Sequence, residues 1–170
     1  MSKLNNTIFF ASSPGGHFAQ LLALHDLFDK YHTVIVTNNQ LANYSIPELK
    51  SVYSIEKLSD NRVKEVKFKK KKSRLQKLPI YLRMYRECYN IWKKYRPKVI
   101  VSTGSNIAIP LCLIGKMFGS KFVFIESRAK VYSKTATGKA IGNLADVVLV
   151  QWPEMVDVYG GKAKYLGTLV

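Results

Sequence analysis

Three short polar stretches of the 170-residue chain carry the residue types that do chemistry: Ser13-Pro14-Gly15-Gly16-His17, Thr103-Gly104-Ser105-Asn106 and Glu126-Ser127-Arg128. Glycines let a backbone come close to a ligand, and the exposed N–H groups and dipole of a helix that follows suit a phosphate or pyrophosphate. Ser13, Gly15, Gly16, Thr103, Gly104, Ser105, Asn106, Ser127 and Arg128 are therefore candidates for binding an anionic ligand. A plain strand-to-helix turn is an equally good reading of Gly15-Gly16. His17, at the first turn of the expected helix, is of the residue type suited to general base work near neutral pH, and the alternative is a capped surface residue. Glu126 directly follows an apolar strand, where a carboxylate is poorly placed for packing and well placed for chemistry; the alternative is an ion pair with Arg128 or Lys130. The dinucleotide pattern GxGxxG and the phosphate loop GxxxxGK[ST] are both missing, which argues against a Rossmann dehydrogenase and a P-loop NTPase. His25 and His32 have no partner pattern, and no His, Cys, Asp or Glu cluster has metal spacing, so no metal is expected.

These loops need elements to hold them. Residues 8–11 read as a buried parallel strand, the glycine loop as a turn, and residues 17–28 as a helix. Residues 33–37 form a second β-branched strand and 52–55 a third. An exposed loop follows through Lys72, then a helix over 78–95 that Pro97 ends. Residues 99–102 restart the strand pattern before the second polar loop and a helix to about Phe118. The strand 122–125 presents Glu126, a polar helix covers 133–144, and strands over 147–150 and 165–167 close the series. Strands alternating with helices predict one α/β domain over 1–170 with a doubly wound parallel sheet. In such a sheet ligands bind beyond the carboxyl ends of the strands, where all three polar loops fall.

Charge narrows the class of partner. Lys and Arg number 27 against 11 Asp and Glu, a formal charge of +16, which favours an anionic partner: nucleic acid, anionic lipid or a phosphorylated small molecule. Fifteen of the basic residues lie between Arg62 and Lys98, against only Glu65 and Glu87. Tyr81, Met84, Tyr85, Cys88, Trp92 and Tyr95 recur there at helical spacing, with Arg83, Arg86, Asn90 and Lys93 turned elsewhere. The segment over about 62–96 thus has three readings: a solvated face, an amphipathic helix on an anionic membrane, and a nucleic-acid surface. On the membrane reading Lys69, Lys70, Lys71, Lys72, Arg74, Lys77, Arg83 and Arg86 face the lipid, each adding roughly 1 kcal/mol. No RNA or DNA fold signature accompanies the charge, and nucleic acid is not the expected partner. The apolar run over 107–114 is far shorter than the roughly 20 residues that span a bilayer. The first residues hold no signal-peptide core, and Cys88 and Cys112 match no metal, redox or scaffold spacing, so a reducing cytoplasm is expected.

The combination of motifs resembles a known family. Ser13-Pro14-Gly15-Gly16-His17 with Gln20-Leu21-Leu22, Ser102-Thr103-Gly104-Ser105-Asn106 with Ile109-Pro110, Phe124-Ile125-Glu126-Ser127, Ala145-Asp146, and Val150-Gln151-Trp152-Pro153-Glu154 are similar to the bacterial polysaccharide-biosynthesis proteins of the PssD, CpsF and EpsE type. These are relatives of the Alg-fourteen family of asparagine-linked glycosylation. The resemblance covers nearly the whole chain and implies the acceptor-side, amino-terminal half of a GT-B glycosyltransferase, a Rossmann-like domain. It further implies a separate Alg-thirteen-like chain that binds the UDP-sugar, a polyprenyl-pyrophosphate-linked sugar as acceptor, and a peripheral place on the cytoplasmic face of the membrane. No cofactor is implied; the UDP-sugar is a co-substrate. Position by position, Gly15, Gly16 and His17 match the first glycine loop, Thr103 to Asn106 the second, and Glu126 the acidic residue of the third motif. Relative to single-chain MurG, Ser12-Ser13-Pro14 stand where that enzyme has Gly-Gly-Thr, and Ile125 where it has a histidine. His17 and Glu126 are the catalytic candidates; a non-catalytic membrane scaffold and a basic nucleic-acid-binding protein are the alternative functions.

Overall fold

The computed structural model describes residues 7–38, 63–66 and 77–169. Apolar runs rich in β-branched and aromatic residues form strands β1 (Thr7–Ala11), β2 (His32–Asn38), β3 (Val63–Val66), β4 (Val99–Ser102), β5 (Lys121–Ile125), β6 (Val147–Val150) and β7 (Ala163–Tyr165). Every pairing is parallel, in the order β3-β2-β1-β4-β5-β6-β7. The expected doubly wound, Rossmann-like α/β sheet is present. Its order reverses between β1 and β4, a switch point of the kind beyond whose strand ends ligands bind in open α/β sheets.

A parallel sheet must be buried on both faces. On one face Phe9, Ala11, Ile100, Phe122, Phe124, Val148 and Val150 pack beneath helices α3 (Lys77–Tyr95), α4 (Ala108–Met117), α5 (Ala136–Ile141) and α6 (Met155–Tyr159). On the other, Phe10, Ile35, Val101 and Ile125 meet α1 (Gly16–Leu22) and α2 (Asp26–Lys30) through Phe18, Leu21, Leu22 and Phe28. Past β4 this second face is thinly covered: Val99, Val123 and Leu149 are only partly buried, and Leu166, just beyond β7, is 78% exposed.

Several expected elements move. The third strand is β3, inside the stretch read as loop; 52–55 lies outside the described residues. Only Val63 and Val66 carry an apolar signal there, in a run otherwise charged, yet Val66 is fully buried in the core. The single helix over 17–28 is two short helices, because the N–H groups of Leu24 and His25 reach the carbonyls three residues back and tighten the chain into a turn. That bend brings Phe28 edge-on to Phe10 at 4.8 Å. The polar helix shortens to α5, started by the Thr135 side chain accepting from the Gly138 N–H at 2.9 Å. α6 was not expected, and the last strand lies two residues earlier than 165–167.

α3 confirms the amphipathic helix and changes what its stripe does. Met84, Cys88 and Trp92 are buried in the sheet-facing core and Tyr85 and Tyr95 are half-buried, so most of the aromatic stripe packs inward rather than toward a partner. Trp92 stacks on Phe118 at 4.7 Å and donates to Ser120 Oγ at 2.9 Å, which fixes the end of the helix. The exposed apolar side chains of α3 are instead Leu78, Tyr81, Leu82 and Tyr89, beside the exposed Arg83 and Arg86. Arg83 also pairs with Glu87 at 2.8 Å one turn on. Lys77 opens α3, while Lys69 to Lys72 and Arg74 lie outside the described residues.

Candidate functional site

The loops after β1 and β4 are built against each other at the switch point. Ser12 continues the ladder, its N–H donating to Val36 O at 3.2 Å, and Gly15 then turns the chain into α1 with φ of +115°, a region that penalises any residue with a Cβ. From the other side, Ser102 Oγ donates to Ala11 O at 2.7 Å and accepts from the Gly104 N–H at 3.2 Å. Thr103 Oγ1 donates to His17 O at 2.7 Å and bonds Ser12 Oγ at 3.2 Å. These bonds lock the two loops into one rim.

His17 lies across Gly104. A Cβ at residue 104 would come within 3.2 Å of both Cε1 and Nδ1 of the imidazole, and Gly104 itself has φ of +115°. Ser105 follows with φ of +87°, left-handed backbone that costs a non-glycine residue about 1–3 kcal/mol and collects at functional sites. Among the described residues three buried side-chain polar atoms have no hydrogen-bond partner: His17 Nδ1, Ser105 Oγ and Thr37 Oγ1. They sit beyond β1, beyond β4 and at the carboxyl end of β2, on the carboxyl edge of the sheet. An unsatisfied buried polar atom costs about 1–3 kcal/mol, so three at a single edge make it the candidate ligand site of the sheet. Thr37 gave no sequence signal, because it reads as one more β-branched residue of its strand.

The third loop is organised differently. Glu126 is 1% exposed and continues the face of Phe122 and Phe124, beneath α5. Its Oε1 accepts from the Ser127 N–H at 2.7 Å; its Oε2 accepts from the Thr135 N–H at 3.0 Å, from Thr135 Oγ1 at 3.2 Å and from the Tyr159 hydroxyl. Burial first, then this hydrogen bond and the charge of Glu126, push the Tyr159 phenol well above its ordinary pKa, so it remains a donor at any working pH. Gln151 joins the third loop to the first: its Nε2 donates to Glu126 O at 2.9 Å and to Gln20 Oε1 at 3.0 Å, one turn of α1 beyond His17. Tyr159, Thr135 and Gln151 were not among the sequence candidates. Ser127 is buried, while Gly16, Asn106 and Arg128, each in a loop or helix start beyond the carboxyl end of its strand, are exposed and Ser13 is half-exposed.

Among the described residues no three His, Cys, Asp or Glu side chains gather as metal ligands. Burial, reinforced by Glu87, raises the Cys88 thiol to about 12; burial, partly offset by Lys116, raises Cys112 to about 11, so neither is a thiolate at neutral pH. No helix among the described residues is long and apolar enough to cross a membrane.

The sequence profile of the family described as "Oligosaccharide biosynthesis protein Alg14 like" matches residues 7–169. The chain belongs to this Alg14-like family. The rat (Rattus norvegicus) protein named UDP-N-acetylglucosamine transferase subunit ALG14 is 22% identical over 179 residues, covering 96% of this Alg14-like chain and 82% of the rat protein. The Caldicellulosiruptor saccharolyticus UDP-N-acetylglucosamine–N-acetylmuramyl-(pentapeptide) pyrophosphoryl-undecaprenol N-acetylglucosamine transferase is 24% identical over 155 residues, covering 86% of the chain and 39% of that enzyme. Among solved structures, MurG of Acinetobacter baumannii superposes with a TM-score of 0.66 at 12% identity, over 94% of this chain and 45% of the enzyme. That likeness shows the fold, the Rossmann-like half of a GT-B enzyme. The Alg14-like chain spans just under half the length of the MurG structure it matches.

Proposed function

We propose that this Alg14-like chain is the acceptor-binding, membrane-recruiting subunit of a two-chain UDP-sugar glycosyltransferase, extending a polyprenyl-pyrophosphate-linked sugar in exopolysaccharide or capsule synthesis. The observation that carries the reading is at the carboxyl edge of the sheet near the β1/β4 switch point, where His17 Nδ1, Ser105 Oγ and Thr37 Oγ1 are buried without partners. Those groups suit a ligand rich in hydroxyl and phosphate oxygens. The relatives' names, a transferase subunit and an enzyme acting on a pyrophosphoryl-undecaprenol acceptor, supply the class of reaction. A separate donor-binding chain of the Alg-thirteen type brings the UDP-sugar, and the thinly covered face over Val123 and Leu149 is its seat.

In this reading the acceptor's pyrophosphate lies along the rim made by Gly15, Gly16, Gly104 and Asn106, with Arg128 at its edge. The acceptor hydroxyl attacks the anomeric carbon of the UDP-sugar from the side opposite the phosphate. The new glycosidic C–O bond forms as the bond to UDP breaks, with inversion; the hydroxyl proton passes to the His17 imidazole and UDP leaves with the bonding electron pair. A positioned base contributes roughly 100- to 10,000-fold to such a step. Glu126, enclosed by donors, positions the third loop and leaves proton transfer to His17. Leu78, Leu82, Arg83 and Arg86 on α3 face an anionic cytoplasmic leaflet, holding the subunit peripherally where its acceptor resides.

The test is a transfer assay with a UDP-sugar panel and a polyprenyl-pyrophosphate-sugar acceptor, using this chain alone, its partner candidate alone, and both. Product only with both chains is expected. Full transfer by the partner alone would reduce this chain to a scaffold.

A further inference from the structure

The hydrogen bonds of Glu126 close a loop whose two ends both rest on one carboxylate. Ser127 opens that loop and Thr135 closes it eight residues later; the first bonds Oε1, the second Oε2 through its N–H and its hydroxyl. The Tyr159 hydroxyl, from α6, completes the set around Oε2. Helix α5 docks hard against this cluster: a Cβ on Gly138 would fall 2.5 Å from Glu126 Oε2 and collide with the Tyr159 hydroxyl. The loop grips the tyrosine in return, with Lys134 Nζ 4.5 Å over its ring. Between the anchored ends, Trp152 Nε1 donates to the Arg128 carbonyl at 2.6 Å, and Arg128 is exposed just beyond the carboxyl end of β5.

We propose that Tyr159 is a positioning residue of the acceptor site: its hydroxyl, bound to Glu126, clasps loop 127–135 and thereby sets Arg128 where the acceptor's pyrophosphate binds. This rests on the glycosyltransferase reading for the identity of the ligand, though not for the clasp itself. A packing role alone would be met by phenylalanine, which keeps the ring and the Lys134 contact; a clasp needs the hydroxyl. Burial and Glu126 raise the phenol's pKa, so the hydroxyl keeps the proton it donates.

The experiment compares Tyr159→Phe with the wild type in the assembled two-chain enzyme by hydrogen exchange and by transfer kinetics. Loss of a hydrogen bond to a charged, buried acceptor should speed exchange in peptides over 127–135 roughly tenfold, while β1 and β4 exchange as before. The KM for the lipid-linked acceptor should rise roughly tenfold, while the KM for the UDP-sugar stays unchanged. Adding Tyr159→Phe to Glu126→Gln should then cost little more than Glu126→Gln alone, because both act through one cluster. If Tyr159→Phe does not fold, Thr135→Val removes the other hydroxyl donor to Oε2 and should give the same split between acceptor and donor. Unchanged exchange over 127–135 would overturn the clasp. Faster exchange with an unchanged acceptor KM would overturn the positioning role. Absence of transfer by the wild-type pair would overturn the glycosyltransferase reading and the acceptor role with it, and the exchange data would still decide the clasp.

Discussion

Gly104→Ala separates a strained backbone from a disturbed site. At φ of +115° an alanine sits in left-handed backbone, which costs roughly 1–2 kcal/mol. Its Cβ would also stand 3.2 Å from Cε1 and Nδ1 of His17, closer than ordinary van der Waals contact, so the imidazole must move by a few tenths of an ångström. Gly119→Ala is the internal control: its φ is +84° and a Cβ there meets nothing within 4 Å. Both variants should lose about 1–2 kcal/mol, which in a chain of this size lowers the Tm by about 2–8 °C. Only Gly104→Ala should impair transfer, by roughly tenfold, since a 1 Å misplacement of a reacting group costs up to about 100-fold. Thermal denaturation and transfer assays on the two-chain enzyme measure both effects. Equal turnover in the two variants at equal loss of stability would refute the placing of His17 at the reacting centre.

Other perturbations address the remaining parts. Asp146 is desolvated, which raises its pKa, but the hydrogen bonds of Lys116 and of the Phe122 amide, the charge of Lys116 and the bond from Lys121 overcome this and hold it at about 2. Because its folded pKa lies below the unfolded value of 3.8, the stability it adds is fully present above about pH 4 and is lost as pH falls toward 2. The shift corresponds to at most about 2 kcal/mol, and about 1 once solvent screening is counted; Asp146→Asn should flatten that part of the stability profile, read by denaturant unfolding between pH 2 and 6. Reversing Arg83 and Arg86 to glutamate should weaken binding to anionic vesicles and reduce its salt dependence, and unchanged vesicle binding would defeat the membrane role of α3. Val123→Glu should abolish assembly with the partner while leaving the chain folded; wild-type pull-down would move the seat elsewhere.

Much of this architecture is legible in local sequence. Strands such as 99–102 and 122–125 are short apolar runs followed by polar loops, and that pattern alone puts Gly15, His17, Gly104 and Ser105 at one edge of the sheet. β3 was not legible, because two valines among charged residues carry too little periodic signal and its burial comes from pairing with β2. The stripe of α3 was legible as a stripe, but a buried face and a membrane face have the same spacing, and only packing against Phe118 and the sheet shows that Trp92 points inward. The clasp was hidden for another reason. Tyr159 meets Glu126 from 33 residues away and Gln151 meets Gln20 from 131, so neither partner can be read from its neighbours. Apart from the adjacent Ser127 amide, the donors that enclose Glu126 lie 9 and 33 residues away, so its hydrogen bonds could not be read from its neighbours.

The most direct measurement is transfer by the assembled pair carrying His17→Ala, with complex formation checked on the same preparation. A fall of roughly 100-fold or more in kcat with assembly intact is the expected result, since a lost general base costs that much. Wild-type turnover in His17→Ala would contradict the claim that the switch-point edge is where the acceptor reacts.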